Sequence, residues 1–146
     1  MPNAAAHPPA WRLALSATLH CLLGCGIGEV VGMSIAMSLG WAVWPSIVLS
    51  VGLGFVFGFA LGVRPWLREG YSILQALKAV LIAEGLSIVV METAEVLTQL
   101  YVPGLLDAHL TSGLFWLGMT GALAAGFAAA YPINLWLIRR GVVHKH

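Results

Sequence analysis

Five side chains that can bind a metal ion or carry a proton recur at every fourth position of the first apolar segment. They are Cys21, Cys25, Glu29, Met33 and Met37, and His20 stands beside the first of them. In an α-helix this spacing turns successive side chains by about 40°, so they form one slowly rotating stripe. Thiolates and thioethers favour Cu(I) and related soft ions, imidazole accepts Cu or Zn, and carboxylates favour harder cations. The stripe is therefore typical of a metal-ion path that runs from thioethers at one end to thiols and imidazole at the other.

Four glutamates lie inside apolar segments, where no lysine or arginine accompanies them at a similar depth: Glu29, Glu84, Glu92 and Glu95. An acidic side chain at the centre of a bilayer costs about 2.5–3.5 kcal/mol on insertion scales. Protonation, a water-filled cavity or a bound cation can relieve this cost. On helical angles Glu84, Met91 and Glu95 share one face, with Glu92 about 80° away. We expect this face to line the wall opposite the stripe, or to act as a proton relay. Because the first and third spans run in the same direction, the sequence also predicts that His20 and Cys21 lie roughly level with Glu84, and that Glu29 lies near Met91 or Glu92.

The composition indicates that these residues lie in membrane-spanning helices. Of the 146 residues, 60% are hydrophobic and 9% are charged, whereas an ordinary soluble domain has about 25% charged residues. A spanning helix needs about 20 predominantly apolar residues. Four segments qualify and leave no room for a soluble domain, which predicts a single all-α transmembrane domain over residues 1–146. The predicted spans are 11–38, 43–63, 73–102 and 114–138.

The basic residues predict the orientation of the chain. All seven flank the predicted spans on one side: Arg12, Arg64, Arg68, Lys78, Arg139, Arg140 and Lys145. By the positive-inside rule this side is cytoplasmic, so both termini should be cytoplasmic. The six tryptophans lie near the span ends, as an interfacial aromatic belt requires. The net charge of +1 argues against a nucleic-acid partner.

Small residues at every fourth position form rows on three of the spans. The glycines are Gly24, Gly28 and Gly32 in the first span, Gly54, Gly58 and Gly62 in the second, and Gly118 and Gly126 in the fourth. Such rows let helix backbones approach closely, which favours association within lipid. We therefore expect a tightly packed bundle and a homo-oligomer.

Two stretches resemble a known family. The run HCLLGCGIGE, residues 20–29, resembles the signature of a bacterial membrane family classed as a domain of unknown function, and YPINLWLI, residues 131–138, is similar to that family's closing helix. The resemblance covers nearly the whole chain. It implies a small multi-pass protein of the bacterial inner membrane, with His20, Cys21, Cys25 and Glu29 as family positions. It also implies a connection with the handling of copper and other heavy metals.

Three functions follow from these observations. The first is the binding and possible translocation of a soft metal ion such as Cu(I), with His20, Cys21 and Cys25 as inner ligands, and Met33 and Met37 as an outer relay. In this function Glu29 is a charge-compensating ligand or a proton acceptor. The second is a proton-coupled permease or a proton channel that uses the buried glutamates. The third is a non-transporting accessory or scaffold protein. An enzyme is not expected, because the chain has no recognisable nucleophile–base pair, haem or iron–sulfur motif, or nucleotide-binding loop.

Overall fold

The computed structural model describes residues 8–142, which form a bundle of four long α-helices. The helices are α1 (Ala10–Ser38), α2 (Val43–Arg68), α3 (Ile73–Tyr101) and α4 (Gly113–Arg139). Each is long and apolar enough to cross a membrane. The prediction of an all-α, multi-span membrane protein is confirmed for this part of the chain. Lys145, used above to predict the orientation, lies outside the described residues.

The helices begin and end within one residue of the predicted spans, except that α2 continues beyond residue 63 to Arg68. The apolar run ends before Arg64, and the predicted span ends with it because charge is costly in lipid. The backbone hydrogen bonds of a helix can nevertheless continue outside the membrane. Pro65 lies within this extension. Gly70 follows the helix with a φ of +92°, a left-handed conformation that glycine adopts without steric cost. A short connection therefore leads from α2 into α3.

The four helices are arranged in a ring in which α1 and α3 also meet across the centre. Each helix contacts its two neighbours in the ring, and α1 contacts α3, whereas the described residues of α2 and α4 do not touch. The basic residues of the described chain lie at the start of α1, the end of α2, the start of α3 and the end of α4. The short α2–α3 connection joins two of these ends, and the hydrogen bond between Asn134 and Thr18 brings the end of α4 to the start of α1. The charge is therefore concentrated at one end of the bundle. That this end is cytoplasmic stays a prediction.

Close packing of α1 on α2 depends on the two glycine rows. A Cβ added to Gly24 would lie 2.8 Å from Cα of Gly58, and one added to Gly32 would lie 2.5 Å from Cα of Ser50. The Ser50 hydroxyl donates a hydrogen bond of 3.0 Å to the carbonyl oxygen of Glu29. The rows thus bring the backbones into contact, as small residues in membrane helices do. Gly118 differs, because its added Cβ would meet the side chain of Leu105 in the α3–α4 connection.

The bundle buries the glutamates of its spans and exposes many large apolar side chains. On α1 a row of large side chains faces outward at helical spacing: Leu15, Leu19, Leu23, Ile27, Val31 and Ile35. All four span glutamates are at most 2% exposed. In water this distribution would be costly, but it suits a protein whose outer surface is covered by lipid. The polar interior lies mainly between α1 and α3.

Candidate cation site

Three glutamates converge in the interior of the bundle. Glu29 comes from α1, and Glu92 and Glu95 come from adjacent turns of α3. One ligand oxygen from each lies within 4.8 Å of the other two. Their side chains are 0%, 2% and 0% exposed, respectively. We call these three residues the glutamate triad. The prediction that Glu29 lies near Met91 or Glu92 is confirmed for Glu92.

Few hydrogen bonds stabilise the triad. The side-chain amide of Gln99 donates to Oε2 of Glu29 at 3.5 Å. The remaining five carboxylate oxygens, which are Oε1 of Glu29 and both oxygens of Glu92 and of Glu95, have no hydrogen-bond partner among the residues that the structure describes. Buried polar groups are normally hydrogen-bonded. The triad therefore offers free acceptor capacity at its centre.

The charge of the triad requires compensation. At the 4.8 Å limit two carboxylates repel each other by about 3–4 kcal/mol if the effective dielectric constant is about 20. Three ionised groups would add three such pairs to the cost of burial. The basic residue of α3, Lys78, is exposed near the start of that helix and cannot neutralise them. Protonation or a bound cation would relieve this repulsion.

Glycines on neighbouring helices leave the space that the buried carboxylates occupy. A Cβ at Gly54 would collide with Oε1 of Glu92, and a Cβ at Gly126 would collide with Oε1 of Glu95. A Cβ at Gly62 would lie 2.7 Å from Oε2 of Glu84. The rows on α2 and α4 thus make room for carboxylates of α3 as well as for helix packing. Sequence reasoning identified the rows but not this second role.

The two cysteines form a separate cluster with a methionine. Cys21, Cys25, Ile88, Met91 and Ala130 pack together, and all five are fully buried. The thiol of Cys21 donates to Oε2 of Glu84 at 3.6 Å. This contact confirms the prediction that Cys21 lies level with Glu84. We call the two cysteines with Met91 the thiol cluster; Met91, predicted to line the wall with the glutamates, packs beside the thiols.

The outer methionines occupy a third, apolar cluster. Met33 packs with Ala108, Phe115 and Met119, and Met37 lies at its edge. Met119 of α4 also connects this cluster to the triad, because its Sδ lies 3.9 Å from Nε2 of Gln99. We call this third group the methionine cluster. The predicted stripe on α1 is therefore divided among the thiol cluster, the triad and the methionine cluster. His20 is half-buried and does not belong to the triad.

Two buried polar contacts were not predicted from the sequence. Gln99 follows Glu95 by four residues, so the helical spacing already places Gln99 on the polar face of α3. Asn134 of α4 is fully buried, and its side-chain amide donates to the Thr18 hydroxyl of α1 at 2.9 Å. Asn134 stands in the closing-helix stretch and Thr18 stands just before the first stretch. The pair thus connects the closing-helix stretch of α4 to the part of α1 that precedes the first stretch.

A family model described as "Domain of unknown function (DUF4396)" matches residues 10–142, which include all four helices and every residue of the triad. No curated protein and no solved structure matches the chain.

Proposed function

The chain belongs to the DUF4396 family, a domain of unknown function, and we propose that it binds a divalent metal cation within the membrane. Glu29, Glu92 and Glu95 are the ligands in this proposal. The observation that carries it is the convergence of three buried carboxylates within 4.8 Å, five of whose six oxygens lack a donor in the described chain. A divalent cation would offset most of the charge of the triad and use these free oxygens.

The donor atoms of the triad favour a particular class of metal. Carboxylate oxygens suit harder cations such as Mn²⁺, and Zn²⁺ also accepts them. Cu(I), the ion that the stripe on α1 predicts, favours sulfur ligands. It remains a second candidate, supported by the packing of Cys21, Cys25 and Met91 in one buried cluster. We place the principal site at the triad, because there the free ligand atoms converge.

We further propose that the cation crosses the membrane along α1. The methionine cluster, the triad and the thiol cluster follow one another at successive turns of this helix. An ion that leaves the triad in one direction would next meet Cys25 and then the Cys21–Glu84 pair. Membrane transport needs several sites of moderate affinity, so that an ion can both enter and leave.

A proton relay is the alternative function. Protons would relieve the repulsion in the triad without any metal, and ionisable residues inside membranes commonly form proton pathways. The contact between the Cys21 thiol and Glu84 extends the series of titratable groups from the triad towards one end of the bundle. This alternative predicts proton flux without stoichiometric metal binding.

The proposal also includes the predictions on orientation, membrane and oligomeric state that were made from the sequence. We propose that both termini are cytoplasmic, that the membrane is the bacterial inner membrane, and that the chain forms a homo-oligomer. We propose transport without enzymatic activity. Among residues 8–142, no contact favours the scaffold function over the other two.

Metal binding to the reduced, purified protein tests the proposal. The protein is stripped of metal, reconstituted in nanodiscs, and titrated with Mn²⁺, Zn²⁺ and Cu(I), and bound metal is counted by mass spectrometry. We expect one Mn²⁺ or Zn²⁺ per chain, lost in Glu95→Gln. Glu84→Gln is the matched control, because it removes an equally buried carboxylate outside the triad and should retain the metal.

Other outcomes separate the alternatives. Binding that survives Glu95→Gln but disappears in the double variant Cys21→Ser with Cys25→Ser would move the site to the thiol cluster and identify a soft ion. Absence of stoichiometric metal, together with proton flux in vesicles that Glu95→Gln abolishes, would replace the metal proposal by the proton relay.

A further inference from the structure

A long apolar groove lies between α1 and α4 on the surface that faces lipid. It has a volume of about 570 Å³; α1 lines it from Leu19 to Val31, and α4 contributes Leu123. Leu19 and Val31 are twelve residues apart, so the groove follows α1 for about 18 Å. Every lining residue is apolar or a glycine. The groove therefore offers a hydrocarbon chain continuous contact and no polar group.

Gly26 gives the groove its depth beside α4. A Cβ added to Gly26 would lie 3.2 Å from Cδ2 of Leu123, so a side chain at this position would narrow the groove. Leu23 and Ile27 line the groove and are 58% and 42% exposed. The groove is therefore closed at its floor by α4 and open towards the lipid.

An arginine lies beyond one end of the groove, on the same face of α1. Arg12 precedes Leu19 by seven residues and Leu23 by eleven, and each interval is within about 20° of a whole number of helical turns. The groove therefore begins about 10 Å along the helix from Arg12. The Arg12 side chain is exposed, and its guanidinium carbon lies 5.3 Å from the centre of the Trp11 ring. A molecule bound at this arginine can thus extend into the groove.

The end of α4 adds positive charge at the same height. The hydrogen bond between Asn134 and Thr18 joins α4 to α1. Arg139 lies five residues beyond Asn134, and Arg12 lies six residues beyond Thr18 towards the same end, which places both arginines about 7–9 Å past that bond. Of the six acidic side chains in the sequence, Glu69 alone stands at this end, and it follows α2. The arginines beside the groove thus have no carboxylate on their own helices at this height.

Together these features select an anionic lipid. The planar guanidinium group matches phosphate with paired N–H donors, and basic pockets between membrane helices bind anionic lipid head groups. A free phosphate would use the arginine and leave the groove unused. A neutral hydrocarbon would use the groove and leave the charge unused. A phospholipid with a net negative head group uses both.

We propose that the α1–α4 groove binds one anionic phospholipid, with its phosphate at Arg12 and one acyl chain along Leu19, Leu23 and Gly26. The interval of about 10 Å between Arg12 and the groove accommodates the glycerol group and the first carbons of the chain. This binding goes beyond the metal function proposed above, and no residue of the glutamate triad takes part in it.

Lipid binding measured by native mass spectrometry tests the proposal. The purified protein is titrated in detergent micelles with phosphatidylglycerol or with phosphatidylcholine of the same acyl chains. We expect one tightly bound phosphatidylglycerol per chain and weaker binding of phosphatidylcholine. Inorganic phosphate should not displace the lipid. Displacement by phosphate would reduce the site to the arginine alone and overturn the role of the groove.

Matched variants locate the lipid. Arg12→Gln should weaken phosphatidylglycerol binding by at least about tenfold, the loss expected for a hydrogen bond between charged groups. Arg64→Gln removes the same charge near the end of α2, at the same end of the bundle, and should leave the affinity unchanged. Gly26→Leu fills the groove and should also weaken binding. Gly52→Leu is its control, because Gly52 lies on α2 and a Cβ added there would meet nothing within 4 Å.

Metal titration of the same samples separates this proposal from the metal site. Arg12→Gln leaves the triad intact and should retain the Mn²⁺ or Zn²⁺ affinity of the unchanged protein. Selective lipid binding by an unchanged protein that binds no metal would refute the metal function and support the lipid site.

Three results would overturn the lipid proposal. One is equal affinity for phosphatidylglycerol and phosphatidylcholine, and another is an equal effect of Arg12→Gln and Arg64→Gln. The third is unchanged lipid binding in Gly26→Leu that circular dichroism shows to be folded. If that variant instead loses an oligomer while it keeps the lipid, the groove is an interface between copies of the chain.

Discussion

Substitution of Gly126 by alanine tests directly how the triad is built. Gly126 of α4 faces Glu95, and an added Cβ would lie 2.8 Å from Cγ and 3.0 Å from Cδ of that side chain and would collide with its Oε1. Ordinary contacts begin near 3.4 Å, so Glu95 must move by roughly half an ångström or more, or the helices must separate. Gly121 of the same helix is the matched control, because a Cβ added there would meet nothing within 4 Å.

The two alanines should have opposite effects on the free energy of unfolding. An alanine in place of a helical glycine stabilises by about 0.5–1 kcal/mol when the added methyl group meets nothing. Extra volume in a packed interior costs about 1–3 kcal/mol. We therefore expect Gly121→Ala to be neutral or stabilising, and Gly126→Ala to be less stable than Gly121→Ala by about 1–3 kcal/mol. Unfolding by a denaturing detergent in bicelles measures this difference.

Metal affinity provides the second measurement on the same pair. Displacement of Glu95 should lower the affinity for Mn²⁺ or Zn²⁺ by about tenfold or more, which corresponds to about 1.4 kcal/mol. Gly121→Ala should bind as the unchanged protein does. Equal unfolding free energies in the two variants would refute the placement of Glu95 against Gly126. Equal metal affinities with a clear stability difference would refute the assignment of Glu95 as a ligand.

Three further predictions follow from individual contacts. Gln99→Leu removes the donor to Glu29 and should lower metal affinity, whereas Met33→Leu, in an apolar cluster, should leave the affinity unchanged in the same titration. Asn134→Ala removes the hydrogen bond to Thr18 and should lower the free energy of unfolding by about 0.5–2 kcal/mol; a measured loss near zero would contradict the contact. The two cysteines are free and fully buried, so a membrane-permeant maleimide followed by mass spectrometry should label them only after unfolding. Rapid labelling of the folded protein would show that the thiol cluster is open.

The depth of the acidic residues could be predicted because the membrane restricts the chain. Helices that cross a bilayer alternate in direction, and their apolar lengths place each residue at a definite height. Cys21 was thus placed level with Glu84, and the structure has their side chains 3.6 Å apart. The predicted span ends at residue 63, whereas helix α2 continues to Arg68, since hydropathy reports where charge begins and not where helical hydrogen bonding ends.

Lateral arrangement could not be predicted in the same way. The periodicity of α1 suggested one continuous stripe, but Met33 packs with Met119 of α4 and Met91 packs with the cysteines. Which residues of a stripe meet depends on the rotation of each helix about its axis. Packing between neighbouring helices decides that rotation, and no single segment contains the information.

The sequence by itself determined the four spans, the concentration of basic charge at one end and the burial of four glutamates, because hydrophobic length and the cost of charge in lipid are local properties. The convergence of Glu29, Glu92 and Glu95 was decided only by the tertiary structure. It requires α1 and α3 to meet across the ring, with Gly54 and Gly126 of two other helices making room for the carboxylates. Such a fit depends on four helices at once, so only the packed bundle specifies it.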